Sequence, residues 1–290
     1  MKIATAAYPV DGLDDWDGYA RKITKWVEDA DADLLVFPEY AGLELFSLAG
    51  IKSEQALSEV LPNLQTWMER SHALHQSLAQ DHDCYILAGS IPVLEDGKII
   101  NRATFFSPSG QSGFQDKQIM TRFERENGPV NPGADLKVFD TTLGRIGILI
   151  CYDCEFPLLA RSLIEAGVEI ILIPSCTDTL AGYHRVRIGA QARALEGQCI
   201  TVQASTVGPV DWSTIIDQNI GTGGIFAPPD IGLPDDGVLA MGQINQPGWT
   251  RAEIDLDRIK AVRTNGAVLN HRHWAEQDAR LEISPTLLSV

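Results

Sequence analysis

The run "IGILICYDCEFP" at residues 146–157 places Cys151 directly behind a buried-strand pattern and follows it with Tyr152, Asp153, Cys154 and Glu155. Three chemistries are open to a thiol set where apolar residues give way to polar ones. It can be a small core hydrophobe, a nucleophile presented at a strand end, or, with Cys154, half of a C-x-x-C redox pair. Two further chemistry-bearing side chains stand at comparable places. "DLLVFPEY" delivers Glu39 after an apolar run in which Pro38 ends ladder hydrogen bonding. "GQSGFQDKQIM" delivers Lys117 beyond a glycine-containing turn. A carboxylate or an ammonium at such a place reads, taken alone, as a solvated loop group.

Elements must bring these positions together. Short β-branched runs recur at 2–8, 33–39, 84–93, 102–108, 144–151, 169–175, 199–206, 222–229 and 250–256, and they predict fully or half-buried strands. Between them, 13–30 sets Trp16, Tyr19, Ile23 and Val27 at helical spacing; 54–81 and 156–167 behave alike, and 183–197 ends on Gly197 as a helix C-cap. Asp96-Gly97 marks a hairpin turn, and the Pro/Gly-rich 226–248 reads as surface loop or hairpin. Strands alternating with helices predict an α/β fold, with sheets sandwiched by helices. With no repeat, linker or shift in composition, 1–290 reads as a single domain.

Composition narrows the function classes. A net charge of −16 repels phosphate backbones and anionic lipid, which argues against nucleic acid and membrane partners. The longest apolar runs are too short to span a bilayer, and "MKIATAAYPV" has no signal-peptide core. Five cysteines without framework spacing point to reduced thiols in a cytoplasmic compartment.

"LLVFPEY", "DK" and "GILICYDCEFP", in that order, resemble the nitrilase superfamily of carbon–nitrogen hydrolases. "NPGADLKVFDTTLGRIGILICYD" is similar to the family's approach to its cysteine strand, and "RVRIGAQARALEGQCITVQAS" to its arginine-rich helix and core strand. The resemblance covers nearly the whole chain and implies a four-layer α-β-β-α sandwich, a homodimer or higher homo-oligomer, and a Glu–Lys–Cys triad. By motif, Glu39 falls on the base, Lys117 on the lysine and Cys151 on the nucleophile. Asp116 stands before Lys117 where many relatives carry an aromatic or basic residue. A second family glutamate matches Glu126 by its spacing from Asn131, with Glu124 as the alternative; both also read as a charged loop.

These residue types suit one chemistry. A carboxylate raised in pKa by burial can take the thiol's proton. A fixed ammonium with the Tyr152 N–H can hold the charge that grows on the substrate, a donor of that kind being worth roughly 3–4 kcal/mol. A thioester on Cys151 then splits one hard step into two. No metal and no cofactor are called for. Against the redox pair stand the intervening Tyr-Asp and the deeply apolar upstream strand. Zinc lacks a second C-x-x-C or a spaced histidine pair. His72 and His75 read as a helix pair, "NHRHW" at 270–274 as a solvated loop, and Cys84, Cys176 and Cys199 as core residues.

Cys-Tyr-Asp resembles the amidase side of the family, which makes a small-molecule amide the expected partner, with a nitrile or N-carbamoyl compound as the alternative. An acyl-transferring relative or an inactive scaffold lies further off. Glu155 stands where amidases of carboxylate-bearing substrates carry arginine. Facing the pocket, it favours neutral or cationic amides; turned away, it pairs with Arg185 or Arg187. Tyr152, Cys154, Thr177 and His184 complete the expected substrate wall.

Overall fold

The computed structural model describes residues 1–50, 57–127, 130–213 and 216–289. The first half comprises β1 (Lys2–Pro9), α1 (Trp16–Ala30), β2 (Leu34–Val36), α2 (Leu57–Asp81), β3 (Tyr85–Glu95), β4 (Lys98–Phe106), β5 (Ser112–Asp116) and the short α3 (Arg122–Asn127). The second comprises β6 (Val138–Thr141), β7 (Gly144–Ile148), α4 (Pro157–Glu165), β8 (Ile170–Ser175), α5 (Leu180–Gly197), β9 (Ile200–Pro209) and β10 (Gly224–Phe226). β11 (Val238–Met241), β12 (Gly248–Glu253) and α6 (Leu256–Asn265) follow. The helix expected from residue 54 has its first residues outside the described ones.

The strands hydrogen-bond in the order β5-β4-β3-β2-β1-β9-β8-β7-β6. The two halves join where Ala7–Pro9 run parallel to Ser205–Val207. Away from that corner β1 takes β12 as its neighbour and β9 takes β10, so the halves splay and face each other. Period-two alternation sends Ile3, Leu34, Val36, Leu87 and Phe105 into a core shared with β7, β8 and β9. It sends Ala4, Ala6, Leu35, Ile86 and Phe106 onto α1 and α2. Leu163 of α4 with Val186 and Ala190 of α5 cover the second half. The far edges also meet: a Cβ on Gly113 of β5 would stand 2.8 Å from the Phe139 ring of β6. The result is the expected α-β-β-α layering, in a sheet that nearly closes on itself. Strands covered on both faces read as continuous apolar runs, which is why the sequence pattern located them.

Local chemistry sets the helix ends. Asp15 accepts the Gly18 N–H at 2.7 Å and starts α1, which buries Tyr19, Ile23, Val27 and Ala30. Thr179 accepts the Gly182 N–H at 3.1 Å and starts α5 three residues before the expected boundary. Gly197 is not its cap. Gln198 takes the left-handed conformation there at φ 43°, and Gly197 is small because a Cβ would lie 2.9 Å from Ile164. Asp96 and Gly97 sit at φ 49° and 74°, the values a two-residue hairpin turn needs. Among the described residues no helix is long and apolar enough to cross a membrane.

Candidate active site

Three strand exits converge at one end of the sandwich. β2 stops at Val36, and the chain then runs through Pro38 to Glu39 and Tyr40, whose φ is 62°. Gly89 makes this exit possible, since a Cβ there would stand 2.3 Å from the Pro38 carbonyl oxygen. The Tyr40 N–H donates to Ser90 Oγ at 3.1 Å and holds the bend. Lys117 follows β5, its N–H donating to the Asn101 carbonyl and its carbonyl accepting the Gly133 N–H, each at 2.9 Å. Asp116, just ahead of it, pairs with Arg102 of β4 at 2.7 Å and so anchors the strand end. Cys151 opens a 3₁₀ turn, Cys151–Glu155, at φ 51°. A left-handed non-glycine residue at the end of a buried strand costs on the order of 1–3 kcal/mol, and such strain collects where a side chain must be aimed.

The side chains meet away from water. Lys117 Nζ lies 2.8 Å from Glu39 Oε1, and 2.8 and 2.9 Å from the two carboxylate oxygens of Glu124. Glu39 also accepts from Asn101 Nδ2 at 2.9 Å and from the Cys176 N–H at 3.1 Å. Glu124 accepts from the Tyr40 hydroxyl at 2.9 Å and from both the N–H and the hydroxyl of Thr121 at 2.8 Å. The Cys151 thiol points to the Cys176 carbonyl at 3.7 Å. Glu39 and Lys117 are each 1% exposed, so every charge in the cluster depends on its neighbours.

Burial raises the pKa of Glu39, with Lys117 opposing it. Burial also pushes the Cys151 thiol well up, and Glu39 adds to that, so the resting sulfur keeps its proton. Burial works against the Lys117 ammonium, but Glu39 and Glu124 outweigh it and hold the pKa above the usual lysine value. For Glu124 burial is likewise outweighed, by Lys117 and the Thr121 bonds, and its carboxyl sits below its ordinary value. The arrangement is a poised base, a permanent cation and a neutral thiol on one wall of a cavity of about 540 Å³.

The structure corrects several expected residues. Glu126 is exposed and pairs with Arg122 at 2.7 Å, one turn along α3, so it does not reach Lys117; Glu124 does. Glu124→Gln should lower kcat by roughly 10²-fold, as losing the partner that orients a reacting group does, while Glu126→Gln should change it less than twofold. Steady-state kinetics on the pair of variants checks this, and equal effects would sink the assignment. Cys154 is not in the cavity: its thiol faces the Val186 carbonyl at 3.6 Å, in the space left by Gly189. With the Cys151 thiol aimed at the Cys176 carbonyl, the two sulfurs serve different elements rather than each other, and all five cysteines are free. His184 also misses the cavity. Gly182, Arg185 and Val186 line it at helical spacing, and His184, two positions from Gly182 and from Val186, turns elsewhere, half-buried beside the Tyr183 ring.

Tyr152, Glu155 and Thr177 do line the cavity. Glu155 meets both expectations at once, facing the cavity and lying 3.8 Å from Arg185. Cys176, a core residue by its sequence setting, meets the cluster through its backbone: its N–H donates to Glu39 and its carbonyl faces the Cys151 thiol. Cys84 and Cys199 are buried core residues as expected. His72 and His75 do not form an exposed helix pair: His75 is buried with Nδ1 at 2.8 Å from α2's own Ser71 carbonyl, and His72 meets Ser112 Oγ at 3.1 Å. One signal for Glu124 was present in the sequence: Thr121-x-x-Glu124 is a capping-box pattern, and here it closes, the Glu124 N–H donating to Thr121 Oγ1 at 3.2 Å.

A sequence model of the family "Carbon-nitrogen hydrolase" matches residues 3–225. A probable hydrolase of Bacillus subtilis is 34% identical over 271 residues, covering 92% of this chain and 52% of that protein. A deaminated glutathione amidase of Yersinia enterocolitica is 38% identical over 172 residues, covering 54% of this chain and 51% of that protein. The chain thus spans about half the length of these two relatives. Among solved structures, a carbon–nitrogen hydrolase from Helicobacter pylori superposes with a TM-score of 0.75 at 19% identity, over 97% of this chain and 96% of that one. That last likeness concerns the fold.

Proposed function

The chain belongs to the carbon–nitrogen hydrolase family, and from that premise we propose that it hydrolyses a small-molecule amide through a thioester on Cys151. One observation carries the reading: Glu39, Lys117 and Cys151 share a single buried cluster on the wall of a cavity. Glu39 takes the Sγ proton as sulfur attacks the carbonyl carbon. Lys117 Nζ and the N–H of Tyr152, at the start of the 3₁₀ turn where helical N–H groups lack partners within the turn, hold the oxyanion. Glu39 returns the proton to nitrogen as the carbon–nitrogen bond breaks, and ammonia or an amine leaves. Water then loses a proton to Glu39 and attacks the thioester; collapse frees the acid and restores the thiol. Glu124 keeps the ammonium charged and in place throughout.

The name of the Yersinia relative supports an amide over a nitrile or N-carbamoyl compound. For charge on the substrate, the lining supports a neutral or cationic amide. Both guanidiniums at the cavity are engaged, Arg185 by Glu155 and Arg122 by Glu126, while Asp178 and Asp217 stand exposed at its rim. Glu155→Arg should then raise kcat/KM for carboxylate-bearing amides over neutral ones by about tenfold, the worth of one charge-assisted hydrogen bond. An unchanged ratio in a substrate panel would mean position 155 does not touch substrate.

The same reading includes a cytoplasmic setting, supported by the free thiols. It also includes assembly with further copies of the chain, supported by exposed Leu158, Ile188 and Leu195 on the outer sides of α4 and α5. The test of the activity is ammonia release from small amides, with intact-mass detection of an acyl adduct. Ammonia with an adduct mapped to Cys151 supports the proposal. Turnover with the adduct elsewhere, or with none under single-turnover trapping, refutes it.

A further inference from the structure

Asp153 lies two residues beyond the nucleophile and is 1% exposed, yet it takes no part in the chemistry above. Its carboxylate gathers backbone N–H groups from two distant segments. Oδ1 accepts from Ile119 at 2.8 Å and from Gln118 at 3.2 Å. Oδ2 accepts from Gln118 at 3.1 Å and from Ile150 at 3.2 Å. Gln118 and Ile119 directly follow Lys117, and Ile150 directly precedes Cys151. One side chain therefore ties the backbone carrying the ammonium to the backbone carrying the thiol. An ionised acceptor makes these bonds shorter and stronger than a neutral one.

We propose that Asp153 is a positioning residue, which as the carboxylate sets the separation between Lys117 and Cys151. The proposal rests on reading Cys151 as the nucleophile. A protonated or amidated Asp153 would present a donor to N–H groups that are donors themselves, and the two segments would part. Displacement of a reacting group by about 1 Å can cost on the order of 10²-fold in rate. The charged groups facing Asp153 are Lys117, which favours its carboxylate, and Glu39, which opposes it; Cys154 follows it in the same turn. Burial pushes its pKa up to about 7 against the Gln118 and Ile119 bonds, so the tie loosens as its proton is added.

The experiment compares Asp153→Asn and Asp153→Glu with the parent chain. It measures kcat, KM, thermal midpoint and the pH dependence of Cys151 alkylation by iodoacetamide. We expect Asp153→Asn to lower kcat by about 10²-fold with KM within threefold, and to move the alkylation midpoint to higher pH as Lys117 withdraws from the sulfur. Asp153→Glu, which keeps the charge, should recover at least about tenfold of the lost kcat. A kcat within threefold of parent in Asp153→Asn overturns the proposal, as does a loss matched by the unfolded fraction with an unmoved alkylation profile. Should Asp153→Asn not fold, Asp153→Ser, which also removes the carboxylate, takes its place: a lowered kcat with a shifted alkylation midpoint supports the tie, and an unshifted midpoint overturns it. Failure of the nucleophile reading is distinguishable, because the parent itself would then form no adduct on Cys151.

Discussion

Cys151→Ala is expected to lower amide turnover by at least about 10⁴-fold, the order of loss when a covalent nucleophile is removed and only binding and charge stabilisation remain. The fold should survive it. Alanine keeps the Cβ, meets the same φ of 51° and leaves Glu39, Lys117 and Glu124 paired, so the thermal midpoint should move by no more than a surface substitution would cause. The contrast with Cys154→Ser sharpens the result. That sulfur faces the Val186 carbonyl, where a hydroxyl donates equally well, and activity should stay within about threefold. Assays of ammonia release on both variants, with mass spectra of trapped intermediates, check this. Residual activity within tenfold in Cys151→Ala would place the nucleophile elsewhere; loss in Cys154→Ser would revive the redox pair.

Much of the site was legible because its residues end strands, and strand ends show as breaks in period. Glu39 and Cys151 each stand where an apolar run stops, Lys117 follows the short β5 beyond a glycine-containing turn, and the structure brings all three into one cluster. The residues that hold them were harder to see because they act through the backbone or from other elements. Cys176 contributes an N–H and a carbonyl, which residue type does not encode. Asn101 and Tyr40 reach the cluster through side chains whose direction depends on β4 and on a left-handed bend. Counting back from Asn131 favours Glu126 over Glu124, whereas α3 obeys its own cap at Thr121 and turns Glu126 to solvent. The layers were readable from runs of β-branched residues. The corner joining β1 to β9 was not, since it pairs segments about 200 residues apart and depends on which face each sheet half buries.

Lys117→Met should lose both activity and stability, and the pH dependence of the stability loss identifies the cause. The ammonium is the cation shared by Glu39 and Glu124. Removing one partner from a buried pair costs roughly 3–5 kcal/mol, here with two carboxylates left facing each other. Desolvation and mutual repulsion then lift both folded-state pKa values above the unfolded ones. The folded state binds more protons than the unfolded one, so the stability of the variant falls as pH rises through the unfolded carboxylate pKa and beyond. In the parent the two shifts oppose: Glu39 is raised and Glu124 lowered, and their pH effects partly offset. The gap in thermal midpoint between parent and variant should therefore widen from about pH 5 to about pH 8. A gap that stays constant would show that lost packing, not lost charge, accounts for the destabilisation. Activity should be absent at both ends of the range, for different reasons. At low pH the variant survives because Glu39 is protonated and cannot serve as a base; at high pH the base is ionised, but no ammonium remains to meet the oxyanion.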